Sequence, residues 1–410
     1  MPNHVALYIS NKDDKHKLIQ RITLNNFIDD FSTLKGAVFS KETLDKLIDK
    51  EVRHGNFNVI TSTKNSLLNS SEGERKRALL KHLVSQNPEY ILVDNVFGNL
   101  DINAQKDIKN TLTHLSQNIP VIQITNRKRD ILPFINRFYK LENNNPVLCK
   151  KADVLVEDKT KDFVLSLPKP YNLNNYQYDS LVKFNNVTVN YGNRTIVNGI
   201  NWEIKPGEFW QLTGPNGSGK STLLSLISGD NAKAYNQDIM LFGVKKGSGE
   251  SVWDIKRKIG YFSSEYLRGF ERLQAIEKMI ISGFFDSIGL YKIPNERQIA
   301  LAHQWLKVLN MFDIKDKSFL SLSVGHQRLV LIARAMVKHP PLLILDEPTN
   351  GLDDYDAALF SKLVNKIASE SNTAILYVSH REEKGLLKPD FIYQLQPQKT
   401  GSIGRSIKTS

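Results

Sequence analysis

The stretch that decides the fold reads Gly214-Pro215-Asn216-Gly217-Ser218-Gly219-Lys220-Ser221. It fits the pattern G-x-x-x-x-G-K-[ST], in which glycines let the backbone turn its N–H groups inward around phosphates. We predict a buried strand over residues 208–213 and a helix opening at Thr222, whose N-terminal dipole adds to the attraction for anions. The pattern therefore predicts a nucleotide site, with Lys220 at the β- and γ-phosphates, Ser221 on Mg²⁺ and Thr222 as a further contact.

An acid pair ends a second apolar run, LLILDE at residues 342–347. A continuous apolar run is typical of a buried parallel strand, and ligands of such sheets bind at the carboxyl ends of the strands. Asp346 and Glu347 are therefore predicted to emerge beside the nucleotide. Asp346 is the candidate Mg²⁺ ligand, directly or through water, and Glu347 is the candidate general base for the attacking water.

Three shorter motifs accompany these two: LSVGHQR at 322–328, GLD at 351–353 and VSH at 378–380. Together the series resembles the signature, Walker B, D-loop and switch histidine of ABC (ATP-binding cassette) ATPases. The resemblance implies that His380 contacts the γ-phosphate and that Tyr191, 23 residues before Gly214, stacks on adenine. The alternatives are a core histidine at 380 and a strand-edge packing role for Tyr191. The family has Gln after the strand predicted at 259–263, but this chain has Ser264 followed by Glu265, so we expect altered contacts to Mg²⁺, water and a partner.

A second, degenerate copy of the series lies in the first 145 residues: SSEGERKR at 70–77, PEYILVDN at 88–95 and GNLD at 98–101. The spacing from Ser71 to Asp94 is 23 residues, and it is also 23 from Ser323 to Asp346. A constant offset predicts that residues 1–145 are a cassette by descent. Over nearly the whole chain, the arrangement resembles tandem ABC proteins of the ModF-like, or photorepair, type, most closely in residues 280–289, which the resemblance places in a helical subdomain.

The chemistry of the first copy is eroded. Upstream of its signature the only glycines are Gly36 and Gly55, and neither stands in a phosphate-loop pattern. Asn95 stands at the position of the general base, and Thr125-Asn126 stands at the position of the Ser-His pair that contains the switch histidine. An amide cannot act as a general base, so we predict no hydrolysis by this copy alone.

A composite site would explain why the first signature survives. In ABC dimers each nucleotide lies between the P-loop of one cassette and the signature of the other. Ser71, Gly73 and Glu74 would then complete the site of the second cassette, with their amides at a helix N-terminus. The alternative is that Ser71 only caps a helix. The opposite pairing would leave Ser323 and Gly325 facing no phosphate loop.

The predicted fold class is α/β, with two P-loop NTPase domains in tandem, each with a mixed sheet and a helical subdomain, the first truncated. The expected boundaries are a degenerate cassette at 1–145, a linker at 146–180, an intact cassette at 181–400 and a basic tail at 401–410. The linker is too short, and the first site too damaged, for the ribosome-acting ABC-F family.

Composition bounds the possible partners. The chain has 410 residues, a net charge of +12 and one cysteine, Cys149, which suits a reducing cytosol. No apolar run approaches the roughly 18 residues of a membrane span. We expect a cytoplasmic ATPase that binds ATP and Mg²⁺ and reaches any membrane through a permease, its cassettes pairing within one chain or as a homodimer. The alternatives are a mechanical or regulatory ATPase on nucleic acid or ribosomes, which the charge favours, and a nucleotide-dependent scaffold with little turnover.

Overall fold

The computed structural model describes residues 3–24, 31, 34–55, 59–63, 65–155, 160–170, 178–264, 273–380 and 383–409. The chain forms two compact units. The first comprises Met1–Lys159 together with Gly351–Asp354, and the second comprises Thr160–Asn350 and Tyr355–Ser410. None of the helices in these described ranges is long and apolar enough to cross a membrane.

Among the residues that the structure describes, the first unit has one six-stranded sheet. Its strands are β1 (Val5–Tyr8), β2 (Gly36–Phe39), β3 (Tyr90–Asp94), β4 (Val121–Thr125), β5 (Arg137–Glu142) and β6 (Asn145–Cys149). They lie in the order β2-β3-β4-β1-β5-β6, with all neighbours parallel except the antiparallel pair β5 and β6. Every residue of β3 and β4 is buried, as the apolar run ILV at 91–93 requires.

The described residues of this unit form five α-helices: α1 (Lys15–Thr23), α2 (Lys41–His54), α3 (Glu72–Val84), α4 (Ile102–Leu115) and α5 (Lys151–Leu155). Their boundaries follow local chemistry. Ser40 caps the first turn of α2, and Gly55 ends that helix in the left-handed region at φ 62°. Asp101 caps α4 by accepting a hydrogen bond from Ala104 N.

Where the structure describes it, the second unit forms two sheets. A four-stranded antiparallel sheet has the order β11-β10-β7-β8, and a six-stranded sheet has the order β12-β13-β14-β9-β15-β16. The strands are β7 (Val182–Tyr191), β8 (Arg194–Ile204), β9 (Phe209–Thr213), β10 (Asp238–Leu241), β11 (Val244–Lys245), β12 (Ile259–Ser263), β13 (Leu342–Asp346), β14 (Ala374–Val378), β15 (Phe391–Gln396) and β16 (Ile403–Lys408). The helices are α6 (Lys220–Ile227), α7 (Val252–Lys256), α8 (Ile276–Ile281), α9 (Glu296–Val308), α10 (Val324–Met336) and α11 (Asp354–Glu370).

The two six-stranded sheets share one topology. In each sheet, one strand separates the strand that ends in an aspartate (β3 or β13) from the central strand that precedes the loop (β1 or β9). In each sheet, the last two strands form an antiparallel pair. The predicted tandem α/β fold is therefore confirmed. The first copy is smaller. It has the single helix α2 between β2 and α3, where the second copy has α8 and α9. The described residues of the first copy also form no antiparallel sheet that corresponds to the one containing β7 and β8.

Two expected boundaries fall inside regular structure. The linker expected from residue 146 begins within β6 (Asn145–Cys149) and includes α5. The tail expected at 401–410 contains β16 (Ile403–Lys408), which pairs antiparallel with β15. Both edge strands are largely exposed, so their side chains lack the apolar alternation that marks a strand in a sequence, and backbone pairing holds them instead.

Candidate nucleotide-binding site

The glycine-rich loop stands between β9 and α6, as expected. All three of its glycines have positive φ: Gly214 at 150°, Gly217 at 78° and Gly219 at 98°. A Cβ on Gly219 would lie 2.6 Å from Val197 Cγ1, so this glycine is also required for packing against β8. Around Gly217 nothing lies within 4 Å of a built Cβ, which leaves open space for a ligand. The loop thus has the backbone of a phosphate cradle.

The lysine of this loop lies over its backbone. Lys220 Nζ donates to Gly214 O at 2.8 Å and to Pro215 O at 3.2 Å. Ser221 and Thr222 follow in the first turn of α6. Ser218 is buried within the loop. The remaining loop residue, Asn216, is part of the same connection between strand and helix.

The acid pair and the histidine meet at the end of neighbouring strands. Asp346 is the last residue of β13 and is in register with Val378, the last residue of β14. Glu347 N donates to Val378 O at 2.8 Å, and the Glu347 backbone has φ 45°, a strained value for a non-glycine residue. His380 Nε2 lies 3.6 Å from Glu347 Oε1. The structure therefore brings Asp346, Glu347 and His380 together.

Strand order places this group beside the loop. β14 pairs in parallel with both β13 and β9, so the residues that follow these strands emerge at one edge of the sheet. Ser264 follows β12, which is paired with β13, and so lies at the same edge. Glu265, the neighbouring departure from the family pattern, lies outside the described residues.

The predicted adenine contact, Tyr191, ends β7 in the antiparallel sheet. Its side chain is 48% exposed. Its hydroxyl accepts a hydrogen bond from Asn231 Nδ2 at 2.9 Å. Sequence reasoning missed Asn231, because the two residues are 40 positions apart.

Both signature serines cap helices. Ser323 caps α10, where His326 N donates to its Oγ at 3.3 Å. Gly325 is buried in the first turn, and a Cβ there would lie 2.0 Å from Asp356 Cγ. Close packing against α11 therefore requires this glycine.

In the first unit Ser71 caps α3 as part of a capping box. Ser71 N donates to Glu74 Oε2 at 3.0 Å, and Glu74 N donates to Ser71 Oγ at 3.4 Å. The hydrogen bond from the Ser71 backbone lowers the pKa of the Glu74 carboxyl below its usual value. Glu72, whose charge would oppose a triphosphate, forms an ion pair with Lys76 at 2.9 Å. Gly73 is buried, with the Ala104 side chain 3.2 Å from a built Cβ.

The counterpart of the P-loop in the first unit is residues 9–14, which sequence reasoning did not locate. Lys15 opens α1 seven positions after the end of β1 (8 to 15), as Lys220 opens α6 seven positions after the end of β9 (213 to 220). This equal spacing could have found it. No glycine stands in the segment; instead Asp14 accepts from Lys17 N at 3.0 Å, and Asp13 accepts from Ser10 N at 2.7 Å.

Lys15 forms an ion pair with Asp94, the aspartate that ends β3 in the first unit. Its Nζ lies 3.1 Å from Asp94 Oδ2. Burial raises the pKa of the Asp94 carboxyl, and the charge of Lys15 opposes that rise. Asn95 Oδ1 accepts a hydrogen bond from the backbone N of Asn126 at 3.2 Å, so the residues at the positions of the general base and the switch histidine are adjacent. The segment Gly351–Asp354, part of this unit, contributes Asp353, whose Oδ2 accepts from Asn11 N at 2.8 Å.

A parallel α/β sheet with a glycine-rich loop after one central strand, and an acid pair and a histidine after the strands beside it, defines a P-loop nucleotide hydrolase. The family described as "ABC transporter" matches residues 197–350. ABC transporter ATP-binding protein ModF of Escherichia coli (strain K12) is 37% identical over 332 residues, which cover 76% of this chain and 67% of that protein. The chain therefore belongs to the ABC transporter ATP-binding family: it binds ATP and is an ATPase.

Two further similarities extend over most of the chain. The uncharacterized ABC transporter ATP-binding protein C323.04 of Schizosaccharomyces pombe is 31% identical over 335 residues, which cover 78% of this chain and 66% of that protein. The archaeal ribosome recycling factor aABCE1, solved in complex with the stalk protein aP1, aligns with a TM-score of 0.64 and 14% identity over 99% of this chain and 86% of that chain. At this identity the second similarity concerns the fold alone.

Proposed function

We propose that the second cassette binds Mg-ATP and hydrolyses it at one composite site, completed by the signature of the first cassette, and that the protein is the energy-coupling subunit of a transporter. The observation that carries this proposal is the asymmetry of the two loops. Residues 214–221 form a glycine cradle with positive φ at three positions. In residues 9–14, by contrast, the Asp13 carboxylate accepts from Ser10 N, and the Asp14 carboxylate accepts from Lys17 N in the first turn of α1.

Each side chain at the edge of the second sheet has a chemical role in this proposal. The loop amides and Lys220 would hold the β- and γ-phosphates, and Tyr191 would stack on adenine. Ser221 and Asp346 would hold Mg²⁺, which supplies charge neutralisation at the phosphates. Glu347 would accept the proton of the attacking water, and His380, 3.6 Å from it, would contact the γ-phosphate.

The first cassette, in contrast, would not bind ATP. Its two loop carboxylates accept the hydrogen bonds that phosphate oxygens would need, and like charges repel at short distance. Lys15 is engaged with Asp94. We propose that this unit retains only its signature as a functional element, and that the boundaries near 145 and 181 separate a non-binding from a binding cassette.

The role of the first signature rests on helix α3. Ser71 and Gly73 lie at its N-terminus, where backbone N–H groups and the helix dipole favour an anion. The carboxylate of Glu72 is neutralised by Lys76, which removes one source of repulsion. Glu74 is folded over the same amides and would have to turn away from the cap to admit a γ-phosphate.

A matched pair of cap variants tests the composite site. Ser71→Ala and Ser323→Ala each remove one N-cap, so each is expected to cost about 1 kcal/mol of stability. Ser71→Ala should lower kcat at least tenfold with an unchanged Kd for ATP, while Ser323→Ala should leave both unchanged. Equal effects of the two variants on kcat, or no effect of Ser71→Ala, would contradict the composite site.

The transport role is supported by the relatives whose names describe ABC transporter ATP-binding proteins. The protein would then act in the cytoplasm and reach the membrane through a permease. Affinity capture with the Glu347→Gln variant and ATP should recover a multispanning membrane protein, and the Lys220→Ala variant, which cannot bind ATP, is the matched control. Capture of no membrane protein by either variant would reject this role.

A second candidate is an ATPase that acts on nucleic acid or ribosomes, favoured by the net charge of +12. It predicts ATP hydrolysis that RNA or DNA stimulates, with stimulation falling steeply as salt rises from 50 to 200 mM, concentrations at which phosphate contacts weaken. Turnover that is indifferent to nucleic acid would exclude it.

A further inference from the structure

We infer that Asn231 is a positioning residue for the base of ATP: it fixes the ring of Tyr191 relative to the helix that carries the P-loop. The inference rests on the proposed contact between Tyr191 and adenine. Tyr191 ends β7, directly before the turn to β8, and its half-exposed ring is held at the hydroxyl by Asn231 Nδ2 at 2.9 Å.

Asn231 is itself fully anchored. Its Nδ2 also donates to Ser225 Oγ at 2.9 Å, its backbone N donates to Ser225 O at 3.1 Å, and its Oδ1 accepts from Lys233 N at 3.0 Å. A backbone N–H can only donate, so Lys233 holds Oδ1 and directs the amide nitrogen toward Tyr191 and Ser225. The side chain is buried, and these bonds leave it one orientation.

The hydrogen bonds of Asn231 connect it to the helix that follows the phosphate loop. Ser225 lies in α6, and its Oγ donates to Thr222 O at 2.8 Å. A chain of hydrogen bonds therefore runs from Thr222, in the first turn after the P-loop, through Ser225 and Asn231 to Tyr191. This chain ties the antiparallel sheet, which carries Tyr191, to the helix that follows the phosphate loop.

The chemical consequence concerns binding rather than the hydrolytic step. ATP joins its base and its phosphates covalently, so a ring held at a set place relative to the P-loop lowers the cost of binding both ends at once. An interaction present in both the bound ground state and the transition state changes KM and leaves kcat unchanged. Asn231 should therefore affect affinity for ATP and have no effect on a ligand that lacks the base.

A double-mutant cycle on the full chain tests this. Asn231→Ala and Tyr191→Phe each remove the same hydrogen bond, and each should raise the Kd for ATP by about 2- to 10-fold. The Kd of the double variant for ATP should equal the higher of the two single-variant Kd values. Inorganic tripolyphosphate, which has no base, should bind all three variants and the wild type equally, and kcat should change by less than about twofold.

Controls separate positioning from general damage. Ser228→Ala removes a hydroxyl that donates to Asp230 Oδ2 at 2.8 Å and to Ser225 O at 3.3 Å, but it removes no bond made by Asn231 or Tyr191, so it should leave the Kd for ATP unchanged. Additive losses in the double variant, an unchanged Kd in Asn231→Ala, or parallel weakening of ATP and tripolyphosphate would overturn the inference.

A wrong assignment of the adenine contact to Tyr191 would give a different pattern of Kd values. Tyr191→Ala should weaken ATP binding more than Tyr191→Phe, because it removes the whole ring. If Tyr191→Ala leaves the Kd unchanged, the adenine contact itself is wrong. If Tyr191→Ala weakens binding while Tyr191→Phe and Asn231→Ala do not, the adenine contact stands and only the positioning role of Asn231 fails.

Discussion

Lys15 and Asp94 form an ion pair, with Nζ 3.1 Å from Oδ2, at positions that correspond through the sheet topology to Lys220 and Asp346. In the second cassette these positions are the candidate ligands of phosphate and Mg²⁺. In the first, the lysine and the acid neutralise each other. The pair offers a physical account of how a cassette keeps its fold after its phosphate loop has been replaced.

Removing the lysine should destabilise the first unit. Lys15→Met leaves the buried Asp94 carboxylate without its counter-charge, and we expect a loss of about 1–3 kcal/mol in the free energy of unfolding. Lys12→Met, which changes an exposed lysine in the same segment, is the matched control and should stay within about 0.5 kcal/mol of the wild type. Chemical denaturation followed by circular dichroism measures both; equal losses would contradict a specific role for the pair.

The same acid should make stability depend on pH. Burial raises the pKa of Asp94 in the folded protein above its value in the unfolded chain, so the folded state binds the proton more readily. Its contribution to stability is therefore full below the unfolded pKa and is lost as pH rises through the raised folded pKa. The stability of the wild type relative to Asp94→Asn should increase as the pH is lowered from neutral through that range. A pH-independent difference would show that the pKa is not raised.

The two lysines should differ in nucleotide binding. Lys220→Ala is expected to abolish ATP binding, because the loop loses its charge at the phosphates, whereas Lys15→Ala should leave the Kd unchanged. Calorimetry should find one ATP per chain in the wild type. A second bound ATP that disappears in Lys15→Ala would show that the first cassette is a working site.

Glu347→Gln should separate binding from turnover. The amide cannot accept a proton, so kcat is expected to fall by about 10²- to 10⁴-fold while the Kd for ATP is retained. Asn95→Ala, at the corresponding place in the first unit, should not change kcat. A steady-state phosphate-release assay with a parallel binding measurement checks both; a Glu347→Gln enzyme that turns over at the wild-type rate would make the protein a scaffold or assign the base elsewhere.

Sequence reasoning reached the second site because each of its parts is local. The glycine cradle, the acid pair after an apolar run and the histidine after a strand each occupy a few consecutive residues, and their chemistry depends on residue type and spacing. Strand pairing then confirmed that Asp346, Glu347 and His380 share one edge of the sheet. The constant spacing of the motifs in residues 1–145 likewise indicated the repeat.

The sequence by itself determined the family, the fold class and the ATPase class of this protein. Tertiary structure decided what replaces the lost phosphate loop, where β16 pairs, and what holds Tyr191. The loop at 9–14 has no recognisable motif; the position of β1 in the sheet identifies it, together with the seven-residue spacing from the end of β1 to Lys15. Lys15 and Asp94, like Tyr191 and Asn231, are far apart in the chain, so their contacts follow from the order of strands and the packing of helices, which no short pattern encodes.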